Sequence, residues 1–305
     1  MPNPFYGMLP VTNTSMLTQR TIAYKYLLND YPHWPGGSLR SLQRASGRSQ
    51  YFAAFFRVQR RFKNGLSLEI AYTISKLIED TNAKTSSAYP LPQDGKTFRD
   101  IRGLSVQDIP QKFVATYLYA LPFGRHQRWM RDISTPAKRL VEAVAGGWKL
   151  AGFSILQSGY PLQVRQSDNF TAGLNYGPLR PTLVGDYHAD TRVPDAVGAP
   201  APGKPTYLNK AAFAVTPRYQ FGTLPHILPD LRQPRYNQTD LAIMKEFYFG
   251  ERKFLQIRLE SSNFFNHPVF QLDANALNIQ RAEFGYFQSL TNSPRNMQFG
   301  ARFVF

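Results

Sequence analysis

Apolar residues recur at every second position in several stretches of the chain. From residue 66 onward the even positions are apolar and the odd positions are small or polar; the even set is Leu66, Leu68, Ile70, Tyr72 and Ile74. Period two is the side-chain period of a β-strand, whose successive residues point to opposite faces. This stretch therefore predicts a strand with one apolar and one polar face.

The segment just before it shows the same alternation. Its apolar positions are Phe52, Ala54, Phe56, Val58 and Phe62, with Arg57, Gln59 and Arg61 between them. The letters "KNG" separate the two segments, and Asn-Gly is the favoured pair for a type I′ turn. The two segments together predict a β-hairpin.

Five further stretches have strand character, at residues 112–123, 147–159, 239–249, 253–262 and in the terminal "RNMQFGARFVF". The stretch 147–159 is strand-like in content, although its pattern is mixed. In the terminal stretch the apolar residues again share one parity: Met297, Phe299, Ala301, Phe303 and Phe305. The sequence thus predicts seven strands, each about ten residues long.

The connections between these strands alternate in length. "KNG" and "GERK" are tight, whereas 77–108, 159–238 and 265–294 are long; the intermediate connection carries a predicted short helix near 136–145. Transmembrane β-barrels have short periplasmic turns and long extracellular loops, with tilted strands of about ten residues. The predicted fold is therefore all-β: an antiparallel transmembrane β-barrel portion of about seven strands, an incomplete barrel with long extracellular loops.

This topology assigns the apolar residues to the membrane. The hairpin set Leu66–Ile74 and the terminal set Met297–Phe305 are predicted to face lipid, while Gln298, Gly300 and Arg302 face a wet lumen. If the turns are periplasmic, a group of aromatic residues falls near that interface as a girdle: Phe62, Phe123, Trp148, Phe249 and Phe254, with Phe305 beside them. The alternative is a half-buried sheet in a soluble all-β domain.

Composition further narrows the classes of protein to which the chain could belong. The 305 residues contain no cysteine, which excludes disulfides and thiolate metal sites. The longest apolar run is six residues (51–56), too short for a transmembrane helix, and "MPNPFYGMLP" lacks the pattern of a signal peptide. The formal net charge of +16 is compatible with a phosphate-bearing partner. A soluble basic nucleic-acid-binding protein is therefore an alternative, although no zinc-finger or RNP motif occurs and no nucleic-acid partner is predicted.

Catalytic chemistry has no support in the sequence. No GxSxG, HExxH, P-loop or GxGxxG motif occurs, and no two of the five histidines have metal-ligand spacing. Glu69 and Glu260 are expected to pair across the strands with Arg57, Arg61 or Arg258 rather than to act as acid or base. The sequence predicts no catalytic, metal or cofactor site and a protein that is not an enzyme.

Several longer blocks resemble a known family. "NPFYG", "FKNGLSLEIAYTISKLIED", "QKFVATYLYALPFGR", "GGWKLAGFSILQSGYPLQV", "LNKAAFAV" and "IRLESSNFFNHPVF" occur in the order found in the C-terminal portion of Oar-like TonB-dependent receptors. The resemblance covers nearly the whole chain. It implies location in the outer membrane of a Gram-negative bacterium, contact with outer-membrane lipid, and energised uptake of a substrate that the sequence does not identify.

The resemblance also implies an organisation. Residues 1–50 would be a loop-rich N-terminal segment of the barrel, and 51–305 the C-terminal portion of the receptor barrel, with no plug and no signal peptide. The TonB complex would be reached only through N-terminal parts absent from this sequence. The terminal Phe305 matches the signal read by the barrel-assembly machinery. A small outer-membrane barrel or adhesin is the alternative within the same membrane.

Overall fold

The structure is a computed structural model that describes residues 1–8, 18–28, 47–80, 92–94, 99–124, 128–129, 134–168, 178–188, 206–218, 220–249 and 253–305. Parts of the predicted N-terminal segment and long loops, and the tip of the "GERK" turn, lie outside the described residues. The strands are β1 (Ser49–Lys63), β2 (Leu66–Glu79), β3 (Gly103–Leu104), β4 (Gln111–Ala120), β5 (Trp148–Gln157), β6 (Thr182–Leu183), β7 (Phe213–Ala214), β8 (Tyr236–Tyr248), β9 (Phe254–Ser262), β10 (Phe270–Gln271), β11 (Ser289–Leu290) and β12 (Asn296–Val304). One α-helix, α1, spans Pro136–Ala145, and 3-10 helices span Tyr24–Leu28 and Lys210–Ala212.

The seven long strands form one antiparallel sheet in the order β1-β2-β4-β5-β8-β9-β12, with the short β3 paired to β2. Each long strand therefore pairs with the next long strand along the chain, which is the up-and-down topology of a barrel wall. The sheet is open, because β1 and β12 form its two edges. The predicted seven strands, antiparallel pairing and incomplete closure are confirmed.

Three strands are longer than the predicted ten residues. β1, β2 and β8 have 15, 14 and 13 residues. Pairing of β2 with β4 ends where Ile74 meets Gln111, so the β1–β2 hairpin extends past its neighbour. There Ile78 of β2 pairs with Leu104 of β3, which supplies a backbone partner for the projecting end.

The hairpin turn has the predicted chemistry. Asn64 and Gly65 both have positive φ, 53° and 81°, as a type I′ turn requires at its two central residues. Gly65 also lies close to the neighbouring strand, since a Cβ placed on it would be 2.5 Å from the carbonyl oxygen of Ala120. Both its backbone angle and this close approach therefore favour glycine.

The predicted helix is present at 136–145. Its N-terminus is capped by the hydroxyl of Thr135, which accepts from the N–H of Lys138 at 3.4 Å, with Pro136 in the first turn. Leu140 and Val144 are 70% and 68% exposed, so the helix has an uncovered apolar side. Trp148 of β5 donates its indole N–H to the carbonyl of Val144 at 2.8 Å, which attaches the helix to the sheet. Within the described part of the chain, no helix combines the length and apolar character needed to cross a membrane.

The strands have two sets of ends that differ, and we call these the turn edge and the loop edge, as distinct from the edge strands β1 and β12. At the turn edge lie the β1–β2 and β8–β9 turns, helix α1 and the end of β12; the opposite, loop edge carries the long connections. The described residues of 159–235 and 263–295 pack together at the loop edge, and we refer to them as the cap. The main hydrophobic core cluster of the described residues lies there, and none of its members belongs to the seven long strands: Leu162, Val164, Tyr207, Leu208, Ala212, Phe213, Leu224, Leu228, Leu231, Phe270, Leu272, Ala276, Leu277, Ile279, Phe284 and Phe287. Segments that the sequence presents as Pro- and Gly-bearing loops thus contain a packed core.

Candidate functional site

One face of the sheet is apolar across all seven strands. The pairing register aligns the apolar parities, as in Phe299↔Leu259, Leu259↔Ile243 and Ile243↔Leu150. We call this the outer face, and its apolar members are Phe52, Ala54, Phe56, Val58, Leu66, Leu68, Ile70, Tyr72, Ile74, Phe113, Ala115, Tyr117, Tyr119, Trp148, Leu150, Leu156, Leu241, Ile243, Phe247, Leu255, Ile257, Leu259, Met297, Phe299, Ala301 and Phe303. So large an uncovered apolar surface is typical of a wall that faces lipid.

Both predicted lipid-facing sets lie on this outer face. The hairpin residues Leu66, Leu68, Ile70, Tyr72 and Ile74 join it through pairs such as Ile70↔Ala115. In β12, Phe299 and Phe303 are 69% and 54% exposed, with Met297 and Ala301 on the same parity. Phe305 follows the strand at the turn edge and is exposed as well.

The aromatic residues predicted to form a girdle differ in the face of the sheet that they occupy. Phe62, Phe123, Trp148, Phe249 and Phe254 all lie at or next to the turn edge, because each begins, ends or follows a strand there. Trp148 and Phe249 have outer-face parity, and the ring of Phe249 is 6.3 Å from that of Phe303. Phe254 differs: it pairs with Tyr248 and Val304, whose parity is that of the opposite face. Strand parity places Phe254 away from the surface that a girdle residue would occupy.

The opposite, inner face is concave and carries the polar residues of the strands, with apolar ones such as Phe55, Leu118 and Phe153 among them. Side chains from β2 to β12 line an open concavity of about 680 Å³, among them Glu69, Thr116, Asp240, Glu260 and Gln298. Alternation along each strand separates these polar residues from the apolar outer face. The sheet therefore has the lipid-facing and lumen-facing sides of a barrel wall.

Carboxylates on the inner face pair with arginines, across two strands as predicted for Glu69 but along a single strand for Glu260. Arg57 Nη2 lies 2.7 Å from Glu69 Oε1, and Arg258 contacts Glu260 two residues along the same strand. All four side chains are substantially exposed, so each pair contributes at most about 1 kcal/mol. Among the described residues no cluster of three His, Cys, Asp or Glu side chains could hold a metal ion.

A buried ion pair connects the cap to the loop before β4. Arg232 Nη2 lies 2.6 Å from Asp108 Oδ2, and the Asp108 side chain is only 2% exposed. Asp108 also accepts from the N–H of Leu77 at the end of β2, at 2.7 Å. Arg232 Nη1 donates to the carbonyls of Asp108 and Gly159. These contacts join three segments that are distant in the sequence.

A second polar cluster joins the same segments. The amide oxygen of Gln93 accepts from the N–H groups of Arg180 and Gly222, and its amide nitrogen donates to the Gly222 carbonyl. The guanidinium of Arg180 lies 3.2 Å from Asp100 Oδ2. The long connections are therefore ordered against one another by buried hydrogen bonds as well as by the core.

The surroundings shift the pKa values of two cap histidines, His226 and His188, in opposite directions. Burial, together with nearby Arg180, lowers the pKa of His226 to about 4, so its ring is neutral at pH 7. His188 is exposed, with Nδ1 2.6 Å from Asp186 and Nε2 3.2 Å from Asp230. The hydrogen bond to Asp186 is the main cause of a raised pKa at His188. The cap thus contains one histidine that resists protonation and one that favours it.

A smaller cavity lies where the inner face meets the cap, and we call it the cap cavity. It has a volume of about 410 Å³, and Phe153 is shared with the larger concavity. Its floor comes from β5 and β8 and its roof from the β10–β11 hairpin; the lining is Phe153, Ile155, Gln157, Ser158, Gly159, Tyr160, Gln233, Pro234, Tyr236, Gln238, Val269, Phe270, Gln271 and Thr291. Ligand sites commonly occur in the mouths of β-barrels.

Comparison with known families agrees with this architecture. Residues 5–298 match the family described as outer membrane beta barrel domain, which is nearly the whole chain. The chain belongs to this family, and its location is the outer membrane. That location is incompatible with the soluble all-β alternative. No curated protein and no solved structure matches the chain.

The cap cavity and the buried pair Arg232–Asp108 have no counterpart in the sequence-based analysis. The two residues of the pair are 124 positions apart, and neither belongs to a motif. The cavity lining is drawn from β5, β8, both ends of the connection between them, and the 263–295 connection, which meet only after folding. The one local signal is the run of aromatic and amide residues around the end of β5, at Phe153, Gln157 and Tyr160.

Proposed function

We propose that the chain forms the C-terminal part of the barrel of a TonB-dependent outer-membrane receptor. In this proposal the inner face contributes lumen wall, and the cap contributes extracellular substrate-facing surface. The substrate is captured at the cap and admitted through a plugged lumen with energy delivered by TonB.

The ordered cap is the observation that supports this proposal most directly. Its core side chains, such as Leu162, Leu208 and Leu272, are almost fully buried, and they come from two connections of the chain, β5–β8 and β9–β12. Selective capture of a scarce substrate requires binding groups held in fixed positions, because ordering them during binding would cost affinity. A packed cap directly above a polar concavity meets that requirement.

The proposal is tested in the native host with an antibody raised against the chain. Outer-membrane fractions are cross-linked and probed for a joint band with TonB, and a host lacking TonB is the matched control. A TonB-containing band in the first host and none in the second is the expected result. The proposal would be contradicted if no cross-link to TonB formed and the antibody detected a folded, heat-modifiable protein of 34.7 kDa, which is the mass of this chain alone.

A small outer-membrane barrel or adhesin is the second candidate. It is favoured by the match to a barrel domain family over 5–298, which fits a small barrel equally well. The two candidates predict different behaviour in the cross-linking experiment, because a small barrel requires no contact with TonB.

A further inference from the structure

The described residues that line the cap cavity carry no charge, in a protein whose formal net charge is +16. None of its fourteen lining residues is Asp, Glu, Lys, Arg or His. The larger concavity next to it includes Glu69, Asp240 and Glu260. A charged ligand that entered the cap cavity would lose hydration without gaining a counter-charge, which is costly. The cavity is therefore suited to a neutral ligand.

The polar side chains that line the cavity are four amides and four hydroxyls. Gln233 is committed to the fold, since its amide donates to the Leu272 carbonyl at 2.8 Å and accepts from the Leu272 N–H at 2.9 Å. Gln238 is engaged by Tyr236 and Asp240. Gln157 has no side-chain hydrogen bond to any part of the chain that the structure describes, and Gln271 has only a 3.5 Å contact from Thr291. An amide offers donors and an acceptor together, which matches hydroxyl groups that both donate and accept.

Aromatic rings supply the apolar part of the lining. Phe153 and Tyr160 are each 39% exposed, so their rings are accessible from the cavity, whereas Phe270 is buried in the roof. The negative face of an aromatic ring attracts weakly positive C–H groups, as on the apolar side of a sugar ring. The volume of about 410 Å³ lies in the lower part of the range of roughly 300–1,000 Å³ for small-molecule sites.

We propose that the cap cavity binds a neutral, polyhydroxylated ligand of mono- or disaccharide size. Its hydroxyl groups are hydrogen-bonded by Gln157 and Gln271, and its C–H faces stack on Phe153 and Tyr160. The claim that this ligand is the imported substrate rests on the proposed transport function. The claim that the cavity binds such a ligand rests on the lining of the cavity alone.

The test uses the full chain refolded in detergent, with heat-modifiability as the check of folding. Neutral disaccharides (maltose, cellobiose and trehalose) are titrated by calorimetry, and a glucuronic-acid-containing disaccharide serves as the charged comparison. We expect saturable binding of at least one neutral sugar below about 10 mM and much weaker binding of the charged one. The Gln157→Ala and Tyr160→Ala variants should each weaken that binding by about fivefold to tenfold.

Phe265→Ala is the matched control, because Phe265 is 70% exposed at the loop edge and does not line the cavity. It should leave sugar binding unchanged. Absence of saturable sugar binding by the folded chain overturns the inference, as does binding that Gln157→Ala and Tyr160→Ala leave intact. Sugar binding without a TonB cross-link would support the site and reject transport. A TonB cross-link without sugar binding would support transport and reject the sugar site.

Discussion

Replacing Arg232 by alanine should loosen the cap. The variant removes the partner of Asp108, whose side chain is 2% exposed, and so leaves a buried carboxylate without its counter-charge. Breaking such a pair from one side costs about 3–5 kcal/mol. Because Arg232 is itself 19% exposed, and Asp108 keeps its hydrogen bond from Leu77, we expect the lower value, about 3 kcal/mol. That corresponds to roughly a hundredfold increase in the cap-opening equilibrium.

Amide hydrogen exchange followed by mass spectrometry measures this opening on the refolded chain. Peptides that contain the core residues Leu162 and Leu228 should exchange faster in Arg232→Ala, while peptides from β9 and β12 should not change. Arg57→Ala is the matched control, since its pair with Glu69 is exposed and worth at most about 1 kcal/mol.

A double variant separates charge from packing. Arg232→Met with Asp108→Asn removes both charges and should recover part of the lost stability, because no unpaired buried charge remains. Equal exchange of the cap peptides in Arg232→Ala and Arg57→Ala would refute the view that the buried pair holds the cap.

Three other outcomes follow from the structure. Gly65→Ala should destabilise the first hairpin by more than about 1 kcal/mol, through its φ of 81° and the 2.5 Å approach to Ala120; unchanged denaturant stability would contradict this. The contribution of His226 to cap stability should be complete above its ordinary pKa of 6.5 and decrease as the pH falls toward its folded value of about 4. Hydrogen exchange from pH 7 to pH 5 should show that decrease, and His226→Gln should remove it; an identical pH dependence in the variant would argue against it. Since the chain has no cysteine, Val144→Cys can be labelled at one site with an environment-sensitive fluorophore. Its emission should shift to the blue in vesicles, because the exposed apolar side of α1 lies at the turn edge beside the outer face, and a water-like emission would reject contact with headgroups.

The strands of the barrel wall could be predicted from the sequence because alternation and turn residues act between neighbours along the chain. Alternation from Leu66 to Ile74 predicts a two-faced strand, and Asn64-Gly65 predicts the turn that pairs it with β1. The Pro136–Ala145 helix was also predictable, since its cap residue and first-turn proline are adjacent in the chain. Phe254 is the exception: its position at the strand end fits the predicted girdle, but it shares the parity of the polar residues Gln256, Arg258 and Glu260, and its pairing with Tyr248 likewise places it on the inner face.

The cap and its cavity could not be read in that way. Leu162, Leu208 and Leu272 belong to segments rich in turns, without a regular hydrophobic period, and each is buried only because the other segments cover it. Arg232 and Asp108 are likewise ordinary surface residue types until folding brings them to 2.6 Å. The sequence by itself determined the strands, the turns and the two faces of the wall, because period and turn chemistry act between neighbours along the chain. Only the tertiary structure decided where the core lies and which uncharged groups surround the cavity, because those contacts join residues far apart in the sequence.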